Sequence, residues 1–540
     1  MTTRAAETSG AATVAPALEQ QVLAWVADDP DPVTRAELLA LLEAGDADGL
    51  ADRFAGPLHF GTAGLRGPVR GGPHGMNRAV VRRTAAGLAA HLRATAGPGA
   101  TVVVGRDARH GSADFLDDVG AVLAGAGLRA LLLPRALPTP VLAFAVLHLG
   151  ADAGVMVTAS HNPPQDNGIK VYLADGAQLP SPVDQQVERR IASVATVSDL
   201  PTGNAEVLGE DVVTAYLDAL ARLPLTDHRD VRVAYTPMHG VGLETLLAAF
   251  ARAGFAAPTV VAEQAEPDPD FSTLAFPNPE EPGALDLLLA LARDADVAIA
   301  SDPDADRVAV VVGDRPLRGD ETGVLLADHL LSHGVRGRLA TTVVSSSMLA
   351  RVAAAYDVPF TETLTGFKNL ARAGDDLVYA YEEALGVAVA PTLVRDKDGI
   401  SAALLVAEMA AQERARGRTL LDRLADLEAR HGRHETRQLS YRVEDLALIS
   451  AAVDDMRAGP PAAYGAFEVV AVEQPADDVL VHRLAGGPDA SAGRVVVRPS
   501  GTEPKLKAYL ELVDPQPGAM EALAAAVHAR LGLGQDGDLP

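Results

Sequence analysis

The chain has 540 residues, no cysteine and a formal net charge of −26 at pH 7, and 48% of its residues are hydrophobic. The lack of cysteine excludes disulfides, thiol catalysis and cysteine-ligated metals, and it fits a cytoplasmic protein. The excess of acid argues against a nucleic-acid partner. Residues 1–20 contain no continuous apolar stretch that would serve as a signal peptide, and no run approaches the length of a membrane span.

Lysine is rare in this sequence. Of 46 basic residues only five are lysines, namely Lys170, Lys368, Lys397, Lys505 and Lys507. A lysine that is kept in an arginine-rich chain suggests a site that needs a compact ammonium instead of a planar guanidinium. Because the whole chain is acidic, any anionic substrate needs such a local basic pocket.

The first 56 residues predict helix. Apolar residues recur at helical spacing between Gln20 and Phe54, so we expect residues 1–56 to form an N-terminal helical preface. A glycine-rich stretch, Phe60 to Gly67, follows and contains Arg66. Its glycines permit a close approach of the backbone to a ligand, and the Arg66 guanidinium is suited to gripping a phosphate.

Three strand–helix–strand units follow, and their first strands begin at Thr101, Val231 and Leu339. This recurrence predicts three related α/β domains with mixed, mainly parallel sheets, at residues 57–208, 209–316 and 317–433. After Arg433 the alternation of apolar and polar residues predicts antiparallel strands, among them His434–Arg442. We therefore expect a separate C-terminal α+β domain at residues 434–540.

One loop in the first of these domains is unusually constrained. The apolar run Val155–Val157 predicts a buried strand, and Thr158 to Asn162 leaves it abruptly before two prolines. The prolines stiffen the loop, which presents Ser160, His161 and Lys170. This pattern indicates a serine that carries a phosphoryl group. The alternative is that Ser160 and Asn162 only satisfy backbone groups in a turn.

Three aspartates follow the predicted strand Val297–Ala300, at positions 302, 304 and 306. Three unpaired carboxylates on one side of a loop repel one another, so a divalent cation is expected there, and hard oxygen ligands favour Mg²⁺. An EF-hand is excluded, because Arg307 and Gly313 stand where that motif has Gly and Glu. A solvated acidic turn remains an alternative.

Two further loops carry polar groups suited to a phosphosugar. The stretch Arg498 to Lys505 offers a guanidinium, two hydroxyls and an ammonium, which together describe a phosphate cradle. Lys368 lies in a Gly-Phe-Lys-Asn stretch, and Glu382 with Glu383 could accept sugar hydroxyls. The alternatives are a decorated hairpin and a solvated acidic face.

Seven motifs occur in order along the chain: FGTAGLRG, TASHNPPQDNGIKVY, TPMHGVG, SDPDADR, GFKN, EEALG and RPSGTEPK. With them the chain resembles the α-D-phosphohexomutase family, in its longer phosphoglucomutase-like branch, over nearly its whole length after residue 20. The resemblance implies four domains around a central cleft and a phosphoglucomutase or phosphomannomutase activity.

The resemblance also implies a mechanism and a set of site residues. Phosphorylated Ser160 donates its phosphoryl group to a sugar monophosphate, and the bisphosphate intermediate reorients and returns its other phosphate. Catalysis would involve Ser160, His161, Lys170 and Arg66. Asp302, Asp304 and Asp306 would hold one Mg²⁺ against the phosphoserine of Ser160. A sugar bisphosphate is the expected activator. Substrate would contact Arg307, Lys368, Glu382, Glu383, Arg498, Ser500, Gly501, Thr502 and Lys505.

One departure from the family leaves the general base open. Related bacterial enzymes carry Ser and His in the sugar loop where this chain has Leu385 and Val387, so His161 or Lys170 must be considered as the base. The same change leaves the sugar open, with glucose favoured over mannose and pentose. The rival functions are an aspartyl-phosphate phosphatase with Asp302 as nucleophile and a sugar-phosphate sensor. The oligomeric state is left open.

Overall fold

A computed structural model of the chain describes residues 14–62, 64–443, 446–487, 490–500 and 505–533, so residues 1–13 of the predicted preface lie outside the described residues. Three short helices come first, α1 (Pro16–Asp28), α2 (Pro32–Ala44) and α3 (Ala47–Arg53). Asp31 and Asp46 cap the second and third helices by accepting from backbone N–H groups of their first turns. Val22, Leu38 and Leu50 form their small core, so the helical periodicity predicted between Gln20 and Phe54 is confirmed.

The first large sheet has seven strands in the order β1-β2-β6-β5-β3-β4-β7. Strand β3 pairs in parallel with β4 and β5, whereas β6 runs antiparallel to β5 and β2. The strands are β1 (Phe60–Gly61), β2 (Gly64–Pro68), β3 (Thr101–Arg106), β4 (Arg129–Leu132), β5 (Ala153–Val157), β6 (Asp166–Leu173) and β7 (Glu206–Val207). The helices are α4 (Arg78–Thr95), α5 (Ser112–Gly125), α6 (Thr139–His148), α7 (Val183–Ala192) and α8 (Asp211–Leu220).

The second sheet has five strands in the order β12-β11-β10-β8-β9, with β8 parallel to both β9 and β10. Its strands are β8 (Val233–Thr236), β9 (Thr259–Val260), β10 (Val297–Ala300), β11 (Ala309–Val312) and β12 (Arg315–Pro316). Helices α9 (Gly242–Arg252) and α10 (Asp286–Ala292) accompany it, with a 3₁₀ turn at Ala262–Gln264.

The third sheet has four strands in the order β14-β13-β15-β16. They are β13 (Arg338–Thr342), β14 (Phe360–Thr363), β15 (Leu377–Glu382) and β16 (Gly386–Ala388), and β13 is parallel to β14 and β15. The helices are α11 (Gly319–Ser332), α12 (Met348–Ala355), α13 (Phe367–Leu370), α14 (Gly399–Arg414) and α15 (Leu420–His431).

The last sheet is antiparallel throughout its described strands, in the order β17-β22-β21-β20-β19-β18. It comprises β17 (His434–Arg442), β18 (Ala463–Tyr464), β19 (Phe467–Ala476), β20 (Val479–Leu484), β21 (Ala492–Pro499) and β22 (Lys505–Val513), with α16 (Leu446–Ala458) and α17 (Ala519–Leu531). The predicted fold class, three α/β units with mixed sheets followed by an α+β unit, is confirmed.

A continuous apolar core joins the first three units. It includes Phe144 of α6, Tyr216 of α8, Phe250 of α9 and Leu404 of α14. The fourth unit has a core of its own around Val495 and Leu510. The first three sheets therefore share one hydrophobic interior, and the last sheet packs beside it.

Candidate active site

Ser160 lies in the connection between β5 and β6 and is buried, with 1% of its surface exposed. Its backbone has a φ of +54°, a left-handed conformation that serine rarely adopts. Its N–H donates to Thr158 Oγ1 at 2.9 Å, and its Oγ lies 3.2 Å from His161 Nδ1. The hydroxyl donates to Asp302 Oδ2 at 2.9 Å. Two loops 142 residues apart therefore meet at this serine.

The three aspartates form a tight cluster directly after β10. All three are fully buried, and one carboxylate oxygen from each lies within 4.8 Å of the others. Ala305, between two of them, has a φ of +54°. Thr139 of α6 donates from its N–H to the Asp304 carbonyl at 2.9 Å, which ties the turn to the first unit.

Two lysines neutralise part of this cluster. Lys170 Nζ donates to Asp304 Oδ2 at 2.7 Å and to Asp306 Oδ2 at 2.6 Å. Lys397 Nζ lies 3.2 Å from Asp306 Oδ2. Burial lowers the pKa of the Lys170 ammonium, but the two carboxylates outweigh it and the net pKa is raised. The carboxylates are thus not the unpaired anions that the sequence analysis assumed, because the lysines come from distant segments.

Donor atoms for a cation nevertheless remain. Asp304 Oδ1 and Asp306 Oδ1 are buried and accept no hydrogen bond, which is costly unless another partner occupies the site. Burial, together with Asp304 and Asp306, raises the pKa of Asp302 well above its usual value. A hard divalent ion would relieve both conditions, since carboxylate oxygens are its preferred ligands. These residues therefore fit a metal ion.

Positive groups surround Ser160. Arg66 donates from Nη1 to Asn162 Oδ1 at 3.0 Å, while its buried Nε has no hydrogen-bond partner. The N–H of Arg307 donates to Asp302 Oδ1 at 3.0 Å, and its Nη1 lies 3.5 Å from Glu280 Oε2. Burial, with the nearby charges of Arg307 and Arg66, lowers the pKa of His161 well below its usual value.

The predicted sugar loop connects β15 to β16 and packs against the aspartate turn. Leu385 is buried at a φ of +63° among apolar residues of the second unit. Its carbonyl accepts from Val308 N at 3.1 Å, and Gly386 forms a bridge with Arg307. Val387 is also buried. Both side chains therefore pack in the interior, and neither offers the site an acid or a base.

Glu382, Glu383 and Lys368 occupy different surroundings. Burial raises the pKa of Glu382 to about 7, against the opposing effect of Lys397 and Arg307. Glu383 accepts from Thr342 Oγ1 and Ser345 Oγ, each at 3.1 Å. Lys368 Nζ lies 3.5 Å from Asp184 Oδ2 in the first unit.

A cavity of about 580 Å³ between the second, third and fourth units is lined by Glu280, Glu383 and Tyr509, among others.

The predicted phosphate cradle lies between β21 and β22. Ser500 donates its N–H to the Lys505 carbonyl at 2.8 Å, and Arg498 is paired in register with Lys507. Gly501 and Thr502 lie outside the described residues.

Two contributors were not predicted. Arg109, in the turn after β3, donates to four carbonyls of the Ser160 loop. In the sequence it is an arginine two residues after Asp107. This pattern is common, so it gave no reason to predict that Arg109 belongs to the site. Lys397 was noted only as one of five lysines, and its contact with Asp306 could not be read from the sequence.

Four domain families match the chain in succession, all described as phosphoglucomutase/phosphomannomutase: alpha/beta/alpha domain I at residues 57–197, domain II at 214–315, domain III at 318–430 and the C-terminal domain at 488–529. The chain belongs to the phosphoglucomutase/phosphomannomutase family. The family resemblance read from the seven motifs is confirmed, and with it the prediction of a phosphohexomutase, an isomerase that works by intramolecular phosphoryl transfer.

Relatives in the family carry three different names. The chain is 43% identical over 457 residues to a protein of Haemophilus influenzae named as a probable phosphomannomutase, covering 81% of this chain and 93% of the relative. It is 33% identical to a phosphoglucomutase of Staphylococcus haemolyticus, with 85% and 91% covered. It is 32% identical to a phosphopentomutase of Mus musculus, with 92% and 90% covered.

Solved structures of the family share the fold. A crystal structure from Thermus thermophilus, assigned as a phosphomannomutase, superposes with a TM-score of 0.73 at 27% identity, covering 88% of this chain and 99% of that one. A family protein of Burkholderia thailandensis has the same fold, with a TM-score of 0.69 at 24% identity over 88% and 98% of the two chains. Among the described residues there is no helix with the length and apolar character needed to span a membrane.

Proposed function

We propose that Ser160 carries the phosphoryl group that this mutase moves between two oxygens of a phosphosugar. The observation that carries the proposal is the contact of Ser160 Oγ with Asp302 Oδ2 at 2.9 Å, made from a backbone with a φ of +54°. Strain of this kind persists where the surrounding structure imposes it, and it clusters at functional sites. A serine in an ordinary turn needs neither the strain nor the acidic partner.

The reaction consists of two transfers. A hydroxyl of the sugar monophosphate attacks the phosphorus of phosphorylated Ser160 and passes its proton to a base. The bond from phosphorus to Ser160 Oγ breaks, and this oxygen takes the proton from the base. The bisphosphate then reorients, and its other phosphoryl group returns to Ser160 Oγ by the same chemistry. Arg66 and Arg307 supply positive charge around the transferring group, where electrostatic stabilisation dominates phosphoryl transfer.

Between the two candidate bases, geometry favours His161. Its Nδ1 lies 3.2 Å from Ser160 Oγ, within reach of the proton that this oxygen gains and loses in each cycle. Lys170 is held by two carboxylates at 2.7 and 2.6 Å. We assign to His161 the transfer of the proton to and from Ser160 Oγ. We assign to Lys170 the electrostatic stabilisation of the transferring group.

We assign one Mg²⁺ to Asp302, Asp304 and Asp306, next to the phosphoryl group of Ser160. When bound, this ion neutralises charge that develops on the transferring phosphoryl oxygens. The support is the pair of buried, unpartnered oxygens, Asp304 Oδ1 and Asp306 Oδ1. EDTA should abolish turnover and Mg²⁺ should restore it, and Mg²⁺ should also raise the unfolding temperature of the unphosphorylated protein. An unfolding temperature that ignores Mg²⁺ would contradict the assignment.

The remaining predicted residues would bind the substrate on two sides. Glu382 and Glu383 would accept sugar hydroxyls, and Arg307 and Lys368 would also contact the substrate. The phosphate that is not being transferred would lie in the cradle, at Arg498, Ser500, Gly501, Thr502 and Lys505. If Lys505 only anchors this phosphate, Lys505→Ala raises KM more than it lowers kcat.

For the sugar we propose glucose, on the resemblance to the phosphoglucomutase-like branch with its helical preface. Mannose is the second candidate, favoured by the relative from Haemophilus influenzae that is 43% identical to the chain. A pentose follows, as in the name of the mouse relative. Coupled assays with the 1-phosphates of glucose, mannose and ribose, each with catalytic sugar bisphosphate as activator, rank the three by kcat/KM.

The domain limits also belong to this proposal: a preface at 1–56 and domains at 57–208, 209–316, 317–433 and 434–540, arranged around a central cleft. We further propose that the enzyme acts in the cytoplasm on a phosphosugar, with no nucleic-acid or membrane partner.

The central experiment replaces the proposed phosphoryl carrier. Ser160→Ala should lose mutase activity and keep its affinity for the sugar phosphate, because only the hydroxyl is removed. Mass spectrometry of the wild-type enzyme after incubation with a sugar bisphosphate should place the phosphate on Ser160. Phosphate trapped on Asp302 would instead support the aspartyl-phosphate phosphatase, and tight binding of sugar phosphate by the wild-type protein without turnover would support the sensor.

A further inference from the structure

Arg109 binds the backbone of the Ser160 loop at four points. The residue is 96% buried, since 4% of its surface is exposed. Its guanidinium donates to the carbonyl oxygens of Ser160 at 2.8 Å, Asn162 at 2.5 Å, Pro163 at 2.8 Å and Asp166 at 3.1 Å. One side chain thus holds both ends and the middle of the loop.

The loop satisfies only part of its own backbone, as where the Asp166 N–H donates to the Pro163 carbonyl at 3.0 Å. Pro163 and Pro164 contribute no N–H groups, so few backbone donors are available to carbonyls that turn inward. A guanidinium has five N–H groups in a rigid plane and can serve four carbonyls at once. A lysine ammonium has three donors on a flexible stem and cannot reproduce this pattern.

The opposite side of the guanidinium is fixed as well. Asp107 Oδ2 lies 3.5 Å from Arg109 Nε, and Asp107 Oδ1 accepts from Ser112 Oγ at 2.7 Å. The guanidinium carbon lies 4.9 Å from the ring centroid of Phe271, a buried residue of the second unit with a φ of +48°. Beside it, His110 and Asp270 pair across the same boundary at 2.7 Å. Arg109 therefore contacts the unit that also carries Asp302.

We propose that Arg109 is a positioning residue of the phosphoryl transfer. By holding four carbonyls it fixes the left-handed backbone of Ser160, so that Oγ stands 2.9 Å from Asp302 Oδ2. Through Phe271 it makes this distance depend on the second unit, which supplies the aspartates. The inference rests on the proposed role of Ser160 as phosphoryl carrier and extends it to the residue that orients the carrier.

Replacement by lysine tests the guanidinium while keeping the charge. Arg109→Lys should lower kcat about 100-fold, the loss expected from a misplaced reacting group, with KM for the sugar phosphate changed less than about threefold because substrate contacts lie elsewhere. Single-turnover phosphorylation of Ser160 by a sugar bisphosphate, followed by intact-protein mass, should slow equally. Added guanidinium chloride should partly restore the rate of Arg109→Ala, whereas an alkylammonium should not.

Arg83 provides a matched control. It also stacks on an aromatic ring, Trp25 at 5.5 Å, pairs with Asp28 at 2.7 Å and donates to the Val194 carbonyl at 2.8 Å, but it lies against the N-terminal helices. Arg83→Ala should lower the unfolding temperature and leave kcat within about threefold of wild type. Equal losses of kcat in the two alanine variants, or full activity of Arg109→Lys, would overturn the proposal.

A second variant decides the matter if the Arg109 variants do not fold. Phe271→Leu keeps an apolar side chain but removes the ring face, and it should lower kcat with KM nearly unchanged. Unchanged kcat would then overturn the inference. The two proposals fail separately: wild-type enzyme without phosphate on Ser160 refutes the carrier, whereas phosphorylated wild type with active Arg109 variants refutes only the positioning role.

Discussion

At the scale of single residues, the buried Lys397 ammonium shows how the site manages its charge. Its Nζ lies 3.2 Å from Asp306 Oδ2, 3.5 Å from Asp396 Oδ1 and 5.1 Å from the ring centroid of Phe367. Burial lowers the pKa of Lys397, yet the two carboxylates outweigh this and raise it. The side chain is therefore a cation at neutral pH. Its removal would take one ionic partner from each of two buried carboxylates.

Lys397→Met should lower the free energy of unfolding by about 3–5 kcal/mol, the usual cost of breaking a buried ion pair. Urea denaturation at neutral pH measures it. Adding Asp396→Asn should recover part of the loss, because one of the two carboxylates that lose the ammonium is then neutral. In contrast, Arg129→Met breaks an exposed pair with Glu206 at 3.0 Å and should cost less than about 1 kcal/mol. Equal costs for the two pairs would refute this account.

At the scale of elements, the turn after β8 supports the aspartate turn. Met238 and His239 have φ values of +50° and +60°, and the Val241 N–H donates to the Pro303 carbonyl at 2.8 Å. A Cβ on Gly240 would lie 2.3 Å from both Cα and O of Pro303. Only glycine lets the two turns approach this closely, so the position of Asp302 depends on a residue that does not touch the cation site.

Gly240→Ala should therefore displace the aspartate turn and weaken Mg²⁺ binding by about tenfold or more, as changes behind metal ligands commonly do. Isothermal titration calorimetry with Mg²⁺ measures this change. Gly209→Ala is the control, because the nearest atom to its new Cβ would be Asp211 Oδ2 at 3.8 Å. An unaltered Mg²⁺ affinity in Gly240→Ala would show that the turns move independently.

The elements themselves were largely predictable, since local patterns determine them. The strand predicted at His434–Arg442 has the same limits in the structure, and the strand predicted from Thr101 begins there. The contacts of the site were less predictable. Lys170 meets Asp304 across 134 residues, and Arg109 meets Ser160 across 51. No local pattern encodes such pairs, because they arise only when two loops pack together.

At the scale of the whole molecule, the fourth unit is joined to the third through a buried polar junction. Glu511 of β22 accepts from Ser346 Oγ at 2.8 Å and pairs with Arg494 at 2.7 Å and His434 at 2.9 Å. A small apolar cluster with Val344 and Val481 lies nearby. Unlike the continuous core of the first three units, this interface depends strongly on charge, so its stability should respond to pH.

Asp320 is the group in this junction that should respond to pH near neutrality. Its carboxylate accepts from Ser346 N at 2.6 Å and from Thr436 Oγ1 of β17 at 3.1 Å. Burial raises its pKa to about 6, although the Ser346 N–H opposes the shift, and Glu383 and Glu511 raise it further. The folded protein therefore keeps a proton that the unfolded chain releases near pH 3.8, and stability is lost as the pH rises from there to about 6.

Asp320→Asn should remove this loss, because the amide is neutral at every pH. At pH 7.5 the variant should be more stable than the wild type by at most about 3 kcal/mol, and near pH 5 by about half as much, because the wild type loses this stability from about pH 3.8 upward. Urea denaturation at both pH values gives the comparison. For the exposed control Asp230→Asn, the difference in stability from the wild type should be the same at both pH values. A gain in stability over the wild type that is no larger at pH 7.5 than at pH 5 would contradict this account. That result would mean that the junction holds Asp320 ionised, so that pH does not loosen the fourth unit through this residue.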